Sequence, residues 1–357
     1  MQNKFCGLLT NGYSFSVNHK NLLLKPCCLY KTSSHYLNYS DSLVYRQSIS
    51  DWTPACNECR ILELAGQQSL RQASKDWILN DNSSDAFVVD INLDLECNAA
   101  CVMCSENSSS LWAKEKNKKY LPIASIDHNN DKIDHLINEV AKINLSKLRY
   151  VKFFGGEPLF TDTHIKFLEK IPNPEQVTLH YTTNASIYPN AKVREIWKRF
   201  KVIIFAASVD GVGDRFDYIR WPLKWDKVSR NLLRIRDSDI WNVMFRVEFT
   251  ANFLNVYYYN EVESWFSNNL SSNQAGDPTE INIHRCFGTE FDAQLMPYSL
   301  RELVYKKYSE NDRIYKMIKN LGAPYTLDNF YKFTDLWDNR RNLYWQNIFP
   351  EVAKCIQ

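Results

Sequence analysis

"FVVDINLDLECNAACVMCSEN", residues 87–107, sets an alternating apolar run directly before three cysteines, Cys97, Cys101 and Cys104. Phe87, Val89, Ile91, Leu93 and Leu95 fall on one side of an extended chain, so the run predicts a strand with one buried face. Small and polar residues separate the cysteines, which places them in a loop just past the strand's carboxyl end.

The same texture repeats downstream. "LRYVKFF" (148–154), "QVTLHYTT" (176–183), "KVIIFAAS" (201–208), "VMFRVEFT" (243–250) and "EINIHRC" (280–286) read as five further strands. Helical patterns follow the six strands at about 107–119, 161–171, 190–199, 224–237, 256–268 and 299–320. Six strand-then-helix units predict an α/β fold with a parallel sheet, curled into a partial (β/α)6 TIM-like barrel. Polar or glycine-containing segments lie past every strand: the cysteine run, "GGEP" (155–158), "TTNAS" (182–186), "SVDG" (208–211), "EFTAN" (248–252) and "HRC" (284–286). In barrel enzymes the strands' carboxyl ends share one face, and that face carries the chemistry.

Composition narrows the function classes. Forty-three basic side chains balance forty-one acidic ones, which argues against a nucleic-acid-coating surface or a polybasic membrane tail. No run of eighteen apolar residues and no secretory signal is visible, so the expected compartment is the cytoplasm, where thiols stay reduced. Ten cysteines in a reduced compartment point to metal or cluster binding rather than disulfides. Eight of them, Cys6, Cys27, Cys28, Cys56, Cys59, Cys97, Cys101 and Cys104, precede residue 105. The seven histidines form no H-x-x-H or H-E-x-x-H pattern, so a mononuclear hydrolytic site is unsupported.

A [4Fe–4S] cube normally takes four cysteine ligands. Three thiolates at C-x3-C-x2-C spacing leave one iron with an open position, where a substrate or cofactor can bind. Zinc with a fourth ligand drawn from elsewhere is the competing reading, although structural zinc usually shows paired C-x2-C spacing.

C-x3-C-x2-C after a first strand and GGEP after the second resemble the radical S-adenosylmethionine (SAM) enzymes. The resemblance implies a [4Fe–4S] cluster on Cys97, Cys101 and Cys104, with SAM on the open iron. It implies reductive cleavage of SAM to a 5′-deoxyadenosyl radical that takes a hydrogen atom from substrate. It places Met103 by the adenine and Gly155, Gly156, Glu157 and Pro158 around the SAM amino group. Thr183, Asn184, Ser208 and Asp210 would meet the ribose or carboxylate of SAM, or the substrate, with Glu248 and Asn252 as further candidates. Read alone, GGEP is an ordinary turn and "SVDG" a turn before a helix. An electron donor such as flavodoxin or ferredoxin is implied as a partner.

The amino-terminal cysteines follow the order C…G…PCC…W…C-x2-C, and "ELAGQQSLRQ" (63–72) follows them within a helix expected over 60–80, with Leu62, Leu64, Ala65, Leu70 and Trp77 for its apolar face. This resembles the SPASM and twitch modules, which hold auxiliary Fe–S clusters, here ahead of the barrel. The resemblance implies Cys6, one of Cys27 or Cys28 (Cys27 preferred), Cys56 and Cys59 as ligands. Zinc is the alternative, since C-x2-C pairs serve it readily. The expected layout is a module at 1–80, a core barrel at 85–295 and a helical extension at 296–357. Cys286 and Cys355 read as small buried hydrophobes. Trp112 reads as packing, and Arg220 either as a carboxylate binder or as a surface ion pair.

Auxiliary clusters accompany peptide-modifying relatives, so a ribosomal peptide is the expected substrate, with a carbohydrate or small metabolite as the alternative. From other classes, a non-catalytic Fe–S carrier would need no SAM pocket, and a zinc-containing nucleic-acid module is opposed by the near-zero net charge.

Overall fold

A computed structural model of the chain describes residues 6–17, 22–27, 52, 56–64, 69–74, 85–92, 95–116, 138–140, 142–271 and 279–356. Eight strands are β1 (Gly12–Val17), β2 (Leu22–Lys25), β3 (Val88–Asn92), β4 (Tyr150–Phe154), β5 (Thr178–Thr183), β6 (Val202–Ser208), β7 (Val243–Ala251) and β8 (Glu280–Arg285). Their order in one sheet is β2-β1-β3-β4-β5-β6-β7-β8. The chain divides into two compact units. The first comprises Met1–Glu96, Lys119–Thr182 and Pro189–Ile204, and the second Cys97–Lys118, Thr183–Tyr188 and Phe205–Gln357.

In the first unit β3, β4 and β5 pair in parallel, in the registers Val88↔Tyr150 and Tyr150↔Thr178. All six expected strands form, within two residues of their expected ends apart from β3. Two more come from the amino-terminal segment: β1 pairs in parallel with β3 and carries β2 antiparallel on its other edge. β3 departs from the expected one-sided alternation. Val88, Val89, Asp90 and Ile91 are all buried, because a strand inside a parallel sheet is covered on both faces. Leu93 lies outside the described residues. Of the helix expected over 60–80, Asn57–Leu64 and Leu70–Ala73 are helical, and Ser69 starts the latter with a capping box closed by Gln72. Ala65 and Trp77 lie outside the described residues.

The core of this unit is aromatic. Tyr181 stacks on Phe153 at 4.9 Å and meets Trp197 and His164. His164, on the helix Thr163–Leu168, is buried with Nδ1 on the Thr161 carbonyl, and its Nε2 has no hydrogen-bond partner among the described residues. Burial pushes its pKa down to about 4. The unfolded chain accepts a proton near pH 6.5 that the folded chain refuses, so stability is lost as pH falls below that value. Between pH 7 and pH 5 this loss is about 2 kcal/mol. His164→Phe suits the aromatic surroundings and should flatten that dependence, as urea midpoints at the two pH values would read. An unchanged slope in the variant would contradict the assignment.

In the second unit β7 and β8 pair in parallel from Arg246↔Glu280 to Ala251↔Arg285. Phe245, Val247, Phe249 and Ala251 are buried, and Phe249 meets Tyr259 of the helix Tyr259–Asn269. The alternate residues Arg246, Glu248 and Thr250 are half-buried. A short helix absent from the sequence reading, Asp214–Ile219, precedes the expected one at Trp225–Arg236. The helix expected over 299–320 is two, Tyr298–Lys307 and Arg313–Lys319. Asp312 breaks it by accepting from the Ser309 amide at 2.7 Å. The carboxyl-terminal extension is helical over Asp328–Arg341, Trp345–Ile348 and Pro350–Ile356. Among the described residues no helix is long and apolar enough to cross a membrane.

Candidate functional site

The cysteine loop belongs to the second unit, and nearly every residue of it is stitched down. Cys97 exchanges hydrogen bonds with the Ser110 hydroxyl, its amide donating and its carbonyl accepting. Asn98 donates to Ser186 and accepts from the Asn184 amide. The Ala99 carbonyl accepts from Ser109 at 2.6 Å, and the Cys101 carbonyl accepts from the Trp112 indole at 2.8 Å. Ser109 also caps the helix Ser110–Glu115 by accepting from the Trp112 amide. The serine run thus serves as a clamp as well as a helix start. On the loop's other side the amides of Ala100 and Val102 donate to the carbonyls of Trp221 and Ile219.

Those two bonds flank Arg220, which the structure buries instead of leaving in a surface ion pair. Its Nε and Nη2 reach Asp210 Oδ2 at 2.7 and 2.6 Å, and its Nη1 lies 3.9 Å from Cys101 Sγ. Asp210 is fully buried; its Oδ1 accepts from the Thr250 amide at 2.6 Å, and its carbonyl accepts from Asn255. Burial pushes the Asp210 carboxyl up, against the pull of Arg220 and the Thr250 amide. Burial likewise pushes the Cys101 thiol up to about 12, opposed first by Arg220, and raises Cys104. Cys97, Cys104 and Met103 are half-buried.

The other expected contacts are largely engaged within the protein. The Thr183 hydroxyl accepts from the Ala185 amide, and the Asn184 side-chain carbonyl accepts from the Ser186 amide. Asn252 is buried and closes the turn at the end of β7 by accepting from Leu254 and Asn255. Glu248 accepts from Asn282 at 3.1 Å and pairs with His284, while Ser208 is half-buried. Cys286 is buried against Thr289, as a small hydrophobe would be, and Cys355 is half-buried.

In the first unit the GGEP turn closes on the segment that leads into the cysteines. A Cβ on Gly156 would fall 2.2 Å from the Glu96 carbonyl oxygen, so only glycine permits the approach. The Glu157 amide donates to that same oxygen at 2.8 Å. Glu157 is buried and accepts from the Leu159 amide, Gly155 holds φ of 126°, and Pro158 is half-buried.

Also in the first unit, burial is the largest cause that raises the Cys6 and Cys59 thiols; Cys59 and Cys56 add to it for Cys6, and Cys56 adds to it for Cys59. Glu63, Ser69 and Arg71 form one knot: Ser69 Oγ and Arg71 Nε donate to Glu63 Oε1, at 2.5 and 2.8 Å. Arg71 also lies over the Trp52 ring and beside Cys6 and Cys59. Cys27 is buried, and Cys28 lies outside the described residues.

Among the described residues no three His, Cys, Asp or Glu side chains converge to hold a single metal ion. The three cysteines Cys97, Cys101 and Cys104 are a donor set that would suit an iron–sulfur cluster. Asn98, Ser109, Ser110, Ser186 and Trp221 escaped the sequence reading. Only the serine cap before Trp112 carried a local signal.

Three comparisons complete the picture. No curated protein matches the chain. The structure of histidine-tagged anSMEcpe with bound AdoMet is 14% identical, with a TM-score of 0.40 over 56% of this chain and 49% of that one. Streptococcus suis SuiB bound to S-adenosylmethionine is 13% identical, with a TM-score of 0.39 over 85% and 57%. The chain thus matches about half the length of each. Residues 93–261, from the end of the β3 segment to the helix after β7, match the family described as the Radical SAM superfamily. Over those residues, just under half of the chain, the protein is similar to the radical SAM superfamily.

Proposed function

We propose that the protein reductively cleaves SAM and abstracts a hydrogen atom from its substrate. Cys97, Cys101 and Cys104 hold the [4Fe–4S] cluster, and the Gly155–Pro158 turn receives the SAM amino group through a backbone that only glycine leaves open. When bound, the cluster and SAM supply a one-electron cleavage of the sulfonium that gives the 5′-deoxyadenosyl radical. The chain's own part is to orient and exclude water. Ser109, Ser110 and Trp112 fix the loop backbone, and Arg220 places a cation beside Cys101. The observation that carries this reading is a C-x3-C-x2-C loop whose backbone is held from both sides.

The 1–80 segment is read as an auxiliary Fe–S module on Cys6, Cys27, Cys56 and Cys59, ahead of a core at 85–295 and an extension at 296–357. The influence of Cys59 and Cys56 on the buried Cys6 thiol supports it. The module favours a ribosomal peptide as substrate, with an electron donor of the flavodoxin or ferredoxin kind.

Anaerobic reconstitution with iron and sulfide, followed by dithionite and SAM, should yield 5′-deoxyadenosine. Replacing Cys97, Cys101 and Cys104 together by alanine should lower that yield by at least about a thousandfold and remove about four irons per chain. Full iron content in the triple variant would refute the ligand assignment.

A further inference from the structure

Resting on that reading, we propose that Arg220, oriented by Asp210, is a positioning residue that raises the reduction potential of the cluster on Cys97, Cys101 and Cys104. A buried guanidinium is costly unless paired, and it stays charged at any working pH. Asp210 takes the Nε–Nη2 edge, which turns Nη1 toward Cys101 Sγ at 3.9 Å. The cation is therefore the end of the pair that faces the thiol. The arrangement is rigid: Ala100 and Val102 bond to the residues on either side of Arg220, and Thr250 and Asn255 hold Asp210. The placement serves more than packing, because an arginine satisfied only by Asp210 would have no reason to be registered against Cys101 by a backbone bond on each side.

Reduction brings one electron from an external donor onto the cluster. No bond breaks, and Arg220 keeps its proton. The added negative charge is stabilised by a nearby cation in a low-dielectric site, and charge and hydrogen bonds at the sulfurs set such potentials. Removing the cation should therefore make reduction harder. Removing Asp210 should make it easier, since the guanidinium would then act without its counter-charge.

The test is an anaerobic, EPR-monitored redox titration of the reconstituted full-length chain without SAM, counting only signal absent from the Cys97/Cys101/Cys104 triple alanine variant. At a fixed potential, Arg220→Gln should lower the reduced-to-oxidised ratio about tenfold, a shift of about 59 mV for one electron. Asp210→Asn should raise the ratio, and Arg220→Lys should stay close to the parent. Melting temperatures of the three variants give the structural cost separately. Shifts of the same sign in Arg220→Gln and Asp210→Asn, or no shift, would overturn the proposal while leaving the ligand assignment intact. Should Arg220→Gln not fold, a lowered or unchanged ratio in Asp210→Asn would overturn it alone. No triple-variant-sensitive signal in the parent would overturn the cluster reading itself, and this inference with it.

Discussion

Gly156→Ala should unfold the turn after β4 and abolish SAM cleavage. The added Cβ meets the Glu96 carbonyl oxygen at 2.2 Å and the carbonyl carbons of Glu96 and Leu95 at 2.7 Å. These are backbone atoms between β3 and Cys97, so no side chain can swing aside. Overpacking usually costs 1–3 kcal/mol, and a clash with backbone on this scale should cost at least about 3 kcal/mol. The Glu157 amide would also lose its bond to Glu96. Gly213 provides the internal control. It holds φ of 58° and ψ of −137° with nothing within 4 Å of its missing Cβ, so alanine there should bring only backbone strain, about 1–3 kcal/mol, and no clash. Chemical denaturation of both variants, with 5′-deoxyadenosine yield, checks the ordering. If Gly156→Ala melts with Gly213→Ala, the close approach is not what requires glycine.

Gly156 also shows which parts of the site were legible in the sequence. GGEP past a strand was visible as a motif, but its partner, the Glu96 carbonyl, follows only once β3 and β4 lie side by side. Period and turn chemistry located the strands, because alternation and β-branched runs are local properties. The same signal misjudged β3, where Asp90 is buried among apolar neighbours and both faces are covered. It also ran two helices together at Asp312, whose carboxylate competes with the helix for the Ser309 amide. The three thiols announced themselves by spacing. Their surroundings did so only in part: Arg220 was legible as a carboxylate binder or an ion-pair partner, but its approach to Cys101 joins positions more than a hundred residues apart. The knot of Glu63, Ser69 and Arg71 is intermediate, since its residues were visible as a pattern while the reason for the pattern was one shared carboxylate.

Trp112→Ala should cost about 3–5 kcal/mol and take the iron of the cysteine loop with it. Trp112 is fully buried in the second unit, edge-on to Trp337 at 4.8 Å and to Phe333 at 5.9 Å. Arg341 lies over its ring while pairing with Glu115 at 2.6 Å, and Trp221 donates to the same carboxylate. This box joins the helices Ser110–Glu115 and Asp328–Arg341, and Trp112 itself reaches the loop through its indole N–H on the Cys101 carbonyl. Alanine would leave a cavity, free that carbonyl, and strip Arg341 of one of the three rings it covers. Trp112→Phe separates the two contributions. It keeps most of the ring contact and loses the hydrogen bond, so it should cost about 1 kcal/mol and still load iron. Thermal denaturation and iron content after reconstitution read both. Equal losses in the two variants would mean that the hydrogen bond, and not the aromatic box, holds the loop.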